Sequence, residues 1–371
     1  MAATKSTAPS AWRSRLGRAP LLMAGMASLL AAVWGGLIRL PFNLPLPAEH
    51  ANWITFHGPL MVCGFLGTVI GLERAVGLRQ TWTYAAPLLT GAGAISLLLG
   101  VQTSLPVWLI LAGSALFAVV AWRVVWLQPA VFTVLMAIAA LAWVTGNALW
   151  IAQWTFPRIV PWWIAFLALT IVGERLDLSR FQKPTRSGPP LLAVALGIFG
   201  TGVLVSVFFQ VAGERLLGAG LLALALWLAW FDLARRTVKQ TGLTRFMAVC
   251  LLAGYFWLGV SGVLLMAFPP LTSGLLTYDA ALHSFFLGFI FSMIFGHAPV
   301  IFPSVLNLRP VYRPIFYGPL AVLHAGLLLR VVADLTGWYP GRQWGGAIGA
   351  IALALFLVNT ILNFAFPPKN P

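Results

Sequence analysis

The sequence predicts an all-α membrane protein, a polytopic helical bundle of about twelve transmembrane helices. Of its 371 residues, 60% are hydrophobic and 8% are charged, whereas a soluble protein carries about a quarter charged residues. The hydrophobic residues form blocks of roughly 18–25, the length that a helix needs to cross a hydrocarbon core about 30 Å thick. Because the polar groups of a backbone in lipid need partners within the same segment, we expect these blocks to be helices.

Twelve spans are predicted, and their approximate bounds are residues 20–40, 52–76, 84–102, 104–126, 129–151, 159–176, 189–212, 216–233, 246–268, 279–302, 314–334 and 345–366. A short basic cytoplasmic tail (residues 1–19) would then precede a single transmembrane helical domain (residues 20–371). The pairs Glu73-Arg74 and Glu174-Arg175 stand at the ends of the second and sixth spans, and His297 stands late in the tenth. This recurrence every four spans suggests three four-helix units around a pseudo-threefold axis.

The basic residues predict the orientation. With the N-terminus inside and twelve spans, 18 of the 23 Lys and Arg residues fall on the inner side, and 5 fall on the outer side: Arg39, Arg158, Arg215, Arg330 and Arg342. Such asymmetry is typical of a protein with cytoplasmic basic loops. We therefore expect a multi-pass protein of the bacterial inner membrane with both termini cytoplasmic. The net charge of +15 then reflects contact with the lipid bilayer rather than with nucleic acid.

Histidine is the most informative residue type in these apolar spans. The five copies are His50, His57, His283, His297 and His324; four lie inside predicted spans and His50 lies just before one. Polar groups inside spans usually face the bundle interior and mark a pathway, a ligand or a cofactor. The alternative for each is a neutral histidine that is held by a single interhelical hydrogen bond.

His57 and His283 form the main candidate site. Each lies about two turns into a span that enters from the predicted outer side, so the two are expected at the same depth. Two imidazoles in that arrangement can ligate one haem iron from opposite faces, and bundles commonly hold cofactors between their helices. We therefore expect a b-type haem there. The glycines after each histidine, such as Gly58 and Gly288, suit a flat macrocycle, and they equally suit close helix packing.

Two further histidines and a methionine extend the candidate set. His297 lies on the same predicted helix face as His283, about 21 Å further along the axis. With His324, in the middle of the eleventh span, it forms a second candidate cofactor site, unless the two are separately hydrogen-bonded. Met61 follows His57 by one helical turn, so it is either a copper ligand or core filler. The candidate metal ligands are thus His57, His283, His297 and Met61.

Two short segments resemble known families. The run His57-Gly58-Pro59-Leu60-Met61-Val62-Cys63-Gly64-Phe65 resembles the H-x-x-x-M-x-x-G-F stretch of the NnrS family, and "HSFFLGFIFSMIFGHAPVIF" is similar to a later helix of that family. That resemblance implies a twelve-span bacterial inner-membrane protein with haem and copper, linked to nitric oxide tolerance. A more distant resemblance is to the catalytic subunit of haem-copper oxidases and nitric oxide reductases. It implies His57 and His283 as the ligands of a low-spin haem.

The functional expectation is therefore an NnrS-like haem-binding protein, with copper as a second candidate cofactor. Its role would be redox or related to nitric oxide, and a redox partner protein would exchange electrons with it. Oxygen reduction is not expected, because spans six and seven contain no histidine. The alternative is a secondary transporter or channel that uses intramembrane histidines for protons or substrate. The sequence leaves open whether the protein is an enzyme.

Overall fold

The structure is a computed structural model that describes residues 11–40, 42, 44–45, 52–180, 186–269, 276–306 and 312–365. Every regular element among these residues is helical, which confirms the predicted all-α class. The α-helices are α1 (Ala11–Arg39), α2 (Asn52–Thr55), α3 (His57–Pro59), α4 (Thr68–Leu78), α5 (Ala85–Leu98), α6 (Leu105–Leu127), α7 (Val131–Ile151), α8 (Phe156–Ser179), α9 (Gly188–Phe208), α10 (Gln210–Phe231), α11 (Ala234–Thr237), α12 (Gly242–Ala267), α13 (Leu276–His283), α14 (Phe291–Leu306), α15 (Tyr317–Thr336) and α16 (Tyr339–Ala365). Two π-helical segments, Leu60–Gly67 and Ser284–Ile290, and two 3₁₀ turns, Thr81–Tyr84 and Pro314–Phe316, complete the elements.

Within the described residues, eleven helices are long and apolar enough to cross a membrane, so the chain is a multi-pass membrane protein. The predicted span at 84–102 is the one that differs, because α5 has only 14 residues. The 3₁₀ turn Thr81–Tyr84 leads directly into α5. At about 2.0 Å per residue in the turn and 1.5 Å in the helix, the two together extend about 29 Å. Together they are therefore nearly long enough to cross a hydrocarbon core about 30 Å thick.

The chain divides into two compact units. The first contains Met1–Gly36, Pro45–Phe117 and Val300–Pro310, and the second contains Leu37–Leu44, Ala118–Pro299 and Val311–Pro371. The predicted grouping into three four-helix units does not appear in this division and stays a prediction. Helix α1 begins at Ala11, so the second half of the predicted tail 1–19 is helical.

In the first unit, Arg18 joins three segments that are distant in sequence. Its Nε donates to the Tyr84 hydroxyl at 3.2 Å and its Nη1 donates to the Val305 carbonyl at 3.1 Å. Leu21, Leu72 and Val305 form a small buried apolar cluster in the same unit. The arginine thus satisfies a carbonyl near the end of α14, where the helix itself provides no amide partner.

In the second unit, sequential helices pack as antiparallel hairpins, namely α7 with α8, α9 with α10, and α15 with α16. Aromatic stacking adds to this packing. Trp143 and Phe166 stack with ring centroids 4.7 Å apart, and Phe295 and Phe356 stack at 3.8 Å. The outward residues include many large apolar side chains, of which Phe208, Leu226 and Trp230 are all more than half exposed. Such residues are expected on a surface that faces acyl chains rather than water.

The α9–α10 hairpin depends on glycine at the helix contact. A Cβ at Gly202 would collide with the backbone nitrogen of Leu217, and a Cβ at Gly220 would collide with the backbone of Phe199. Helix pairs in lipid gain stability mainly from close van der Waals packing, and small residues permit it. The two backbones are therefore in direct contact at these positions.

Replacing Gly202 by alanine is expected to destabilise the protein by about 3 kcal/mol, because backbone atoms of α10 would have to move. Gly197 lies on the same helix, and no atom of the described residues lies within 4 Å of the position of a Cβ there. Gly197→Ala should therefore be neutral or stabilise by up to about 1 kcal/mol, through the helix propensity of alanine. Thermal unfolding of the two variants in detergent micelles measures both effects. Equal stabilities would contradict the backbone contact.

Candidate functional site

In the first unit, His57 is held by a backbone hydrogen bond. It is the first residue of α3, and its Nδ1 lies 3.1 Å from the carbonyl oxygen of Ile54. A carbonyl oxygen only accepts, so Nδ1 carries the proton and Nε2 carries the lone pair of the neutral ring. A histidine that ligates a metal through Nε2 needs this tautomer. The hydrogen bond at Nδ1 then fixes the orientation of the ring.

In the second unit, His283 has the same arrangement. It is the last residue of α13, and its Nδ1 lies 2.8 Å from the carbonyl oxygen of Asp279. Nε2 therefore carries the lone pair again. The Asp279 carboxylate adds to this contact, since its Oδ1 lies 3.4 Å from the same Nδ1. A carboxylate at this distance raises the basicity of the opposite nitrogen.

Both histidines lie just before π-helix: His283 directly precedes it, and two residues separate His57 from it. Leu60–Gly67 follows α3 in the first unit, and Ser284–Ile290 follows α13 in the second. π-helical turns are rare and occur often at functional sites. Sequence reasoning did not predict either segment, since hydrophobic periodicity over so few residues does not separate the two helix types.

The π segments change two inferences that assumed continuous α-helix. Met61 lies inside Leu60–Gly67, where bonding from residue i to i+5 replaces the α-helical relation of residues four apart. His283 and His297 are separated by Ser284–Ile290. The spacing of fourteen residues therefore no longer places them on one helix face by the 3.6-residue rule. Regular helix geometry therefore no longer supports a shared face for His283 and His297, or a separation of one turn between His57 and Met61.

His297 lies in α14 in the second unit and is the third histidine with this tautomer. Its Nδ1 is 2.8 Å from the Met293 carbonyl oxygen, so Nε2 again carries the lone pair. Its charged neighbours are Glu174, Arg175 and Asp232. His297 thus belongs to a polar region that α8 and the segment after α10 share.

His324 in α15 is arranged in the opposite way. The indole nitrogen of Trp257 donates to its Nδ1 at 2.9 Å, and the two rings are nearly parallel. Because an indole N–H only donates, Nδ1 is the acceptor and Nε2 carries the proton in the neutral ring. The Nε2 of His324 is therefore a hydrogen-bond donor and, in this tautomer, cannot ligate a metal. This Nε2 is buried and has no hydrogen-bond partner among the described residues.

Metal ligands do not cluster in the described part of the chain, which contains no group of three or more His, Cys, Asp and Glu residues that could hold a metal ion. The copper prediction for Met61 and His297 stays a prediction. Glu49 and His50 lie outside the described residues. Of the two glycines named above, Gly288 packs against Trp257, whereas no described atom lies within 4 Å of the position of a Cβ at Gly58.

An ion network surrounds Asp279 and was missed at the sequence level. Arg330 in α15 donates to the Asp279 carboxylate from both Nε (2.7 Å) and Nη2 (3.0 Å). Arg342 in α16 lies 3.4 Å from Asp279 and 3.1 Å from Asp334 at the end of α15. The available signal was the charge itself, because Asp279 and Arg330 fall inside apolar spans, where charged residues are usually functional.

A family model described as a domain of unknown function, DUF8744, matches residues 18–365. The chain belongs to the DUF8744 family. No curated protein and no solved structure matches it. The resemblance of this DUF8744 chain to the NnrS family therefore stays a prediction.

The DUF8744 chain also holds a buried ion pair in the second unit. Arg175 donates to Asp232 from Nε at 2.8 Å and from Nη2 at 3.1 Å, and the two side chains are only 6% and 1% exposed. Asp232 also accepts from the backbone N–H of Ala234 at 2.7 Å. This pair joins α8 to the start of α11, beside the region that contains His297.

Taken residue by residue, the arrangement can do two things chemically. Three histidines, His57, His283 and His297, present a neutral Nε2 lone pair that can ligate a soft or borderline metal. The ion network beside His283 supplies fixed charge and protonatable groups. These are the requirements for holding a metal cofactor and for tuning its charge.

Proposed function

We propose that this chain is a haem-binding inner-membrane protein with a redox or nitric-oxide-related role, in which His57 and His283 are haem ligands. The observation that carries the proposal is the tautomer shared by the two residues. Each donates its Nδ1 proton to a backbone carbonyl, and each leads into a π-helical segment. Haem iron accepts neutral imidazole through Nε2, so the donor chemistry fits.

The chain's own residues would hold and tune the ligand. The Asp279 carbonyl and carboxylate both face the Nδ1 of His283, and Arg330 fixes that carboxylate by two hydrogen bonds. Such outer contacts orient a ligand and set its basicity. Haem, when bound, would supply one-electron redox chemistry. Copper was expected from the sequence spacing of His57 and Met61 and from the resemblance, and a redox partner protein follows from the redox role.

The direct test is an optical spectrum of the purified protein from cells supplied with haem. We expect a Soret band, with α and β bands that separate on reduction, at a stoichiometry of at least one haem per chain. A colourless preparation from such cells would contradict the proposal. The protein must be extracted in a mild detergent, and its fold verified by circular dichroism, so that loss of haem during denaturation is excluded.

A transporter or channel is the second candidate, and the π-helical segments favour it. Transporter sites often lie where helices depart from regular α geometry at corresponding places in two parts of the chain. Here one such departure follows His57 in the first unit and another follows His283 in the second. A flux into proteoliposomes that depends on His297 and persists without haem would support this function over the first.

A further inference from the structure

A basic segment connects α10 and α12 in the second unit. Both helices are long and apolar enough to cross a membrane, so residues 232–241 between them lie at one membrane boundary. Asp232 is the only acidic residue between Glu214 and Asp279, and it pairs with Arg175. Four basic side chains are exposed in this segment and in the first turn of α12: Arg235, Arg236, Lys239 and Arg245. Among the described residues, no carboxylate forms an ion pair with any of these four.

A buried ion pair holds the beginning of this segment in place. Asp232 accepts two hydrogen bonds from Arg175 in α8, and it accepts a third from the backbone N–H of Ala234 at 2.7 Å. Ala234 is buried, and Arg235 and Arg236 follow it directly in α11. Because the charge of Asp232 is balanced by Arg175, Asp232 fixes the backbone that presents the two arginines and leaves their charge in place.

Trp230 orients the guanidinium of Arg235. It is the penultimate residue of α10, and the Arg235 guanidinium lies over its ring, 4.2 Å from the centroid. The indole is 64% exposed, as is Leu226, which lies four residues earlier and so on the same helix face. An exposed apolar face that ends in an indole is typical of the level where acyl chains meet headgroups. The stacked guanidinium keeps its N–H donors around its edge, at that same level.

Lys239 belongs to the same turn as the two arginines. Its backbone N–H donates to the Arg236 carbonyl at 3.2 Å, and its side chain is exposed. Three cations therefore lie within five residues of the chain, next to one exposed indole. Such a cluster recognises anionic groups, and the anions at the level of the headgroups are lipid phosphates.

We propose that the end of α10 and the segment after it bind the headgroup phosphate of an anionic phospholipid, through Trp230, Arg235, Arg236 and Lys239. Guanidinium groups bind phosphate oxygens through paired N–H donors, and the acyl chains lie along the exposed face of α10. A zwitterionic lipid binds more weakly, because its ammonium group is repelled by the cations. A free phosphate ion offers the same oxygens but makes no use of the apolar face at Leu226. The site does not depend on the proposed haem.

The test is native mass spectrometry of the full chain in detergent micelles, titrated with phosphatidylglycerol or with phosphatidylcholine of the same acyl chains. We expect the first phosphatidylglycerol to bind at least about tenfold more tightly than the first phosphatidylcholine. The triple variant Arg235→Gln/Arg236→Gln/Lys239→Gln should lose that preference. All three side chains are exposed, so the variant should keep the melting temperature of the native protein in lipid-free detergent.

Two single variants distinguish a defined site from general attraction between charges. Arg235→Lys keeps the charge but removes the planar group that stacks on Trp230, so it should weaken phosphatidylglycerol binding several-fold. Arg158→Gln is the matched control. The Arg158 guanidinium also lies over an indole, that of Trp154, at 5.5 Å, but Arg158 is the only basic residue between positions 123 and 175. This variant should keep the preference of the native protein.

Equal affinity for the two lipids, or a preference that persists in the triple variant, would overturn the proposal. So would native affinity in Arg235→Lys, because Trp230 would then have no part in the binding, or a lost preference in Arg158→Gln. Inorganic phosphate that displaces phosphatidylglycerol at equal concentration would also overturn it, since the site would then take the free ion rather than the lipid. None of these measurements needs haem, so failure of the haem proposal would leave the result unaffected.

Discussion

Replacing His57 or His283 by alanine is expected to reduce the haem content of the purified protein by at least about tenfold, whereas His324→Ala should retain it. Loss of even an outer contact to a metal ligand typically costs 10–100-fold in affinity, and here the ligand itself is removed. His324 is the matched control, because Trp257 donates to its Nδ1 and its Nε2 therefore carries the proton. Haem per chain is measured from the absorbance of the extracted cofactor.

The same variants can separate a ligand from a packing residue. Imidazole added to His57→Ala or His283→Ala should restore a low-spin spectrum if the deleted side chain was a ligand, since the free ring can occupy the vacated position. A variant that loses haem and does not respond to imidazole, with normal helix content, would indicate a structural role. Full haem retention in both variants would exclude these two residues as ligands.

The helices were predictable from the sequence because lipid imposes a simple rule on it. Long uncharged blocks must be helical, and the predicted spans agree with the observed helices to within a few residues at most ends, as for 129–151 and Val131–Ile151. The largest differences are at the starts of α1, α10 and α16, which lie nine, six and six residues before the predicted starts at 20, 216 and 345. Hydropathy measures only how apolar a block is, and it does not mark where the helix begins beyond that block.

The candidate site was only half predictable, and the missing half depends on pairing. Histidines in apolar spans were conspicuous as a residue type, but their tautomers follow from neighbours such as Ile54 and Trp257. The latter contacts His324 from 67 residues away. Asp279 and Arg330, which pair between two helices, are likewise 51 residues apart in the sequence. The position of such groups inside apolar spans indicates that they are buried. It does not indicate which of them are in contact.

The π-helical segments show the same limit at short range. A rotation of 100° per residue predicted that His297 lies on the same helix face as His283. In the structure, residues Ser284–Ile290 between the two are π-helical. A change in winding within a span moves every later side chain around the axis. Spacing arguments across a long span therefore hold only where the helix is regular, as in α9 or α10.

Removing Asp232 is expected to cause the largest loss of stability among single side chains in the second unit, about 3–5 kcal/mol for Asp232→Ala. The reason is that Arg175, whose side chain is 6% exposed, would keep its charge without a partner in a region of low dielectric. The backbone N–H of Ala234 would also lose its acceptor. Thermal or denaturant unfolding in detergent micelles measures the loss.

Asp177→Ala supplies the control, because Asp177 pairs with Arg180 at 3.1 Å where both side chains are well exposed. An exposed pair contributes at most about 1 kcal/mol, so this variant should unfold close to the native temperature. The double variant Arg175→Met/Asp232→Leu should be more stable than Asp232→Ala, because it leaves no uncompensated charge and keeps the space filled. A double variant that is less stable than the single one would mean that the charges themselves, rather than the cost of leaving one unpaired, hold α8 to the start of α11.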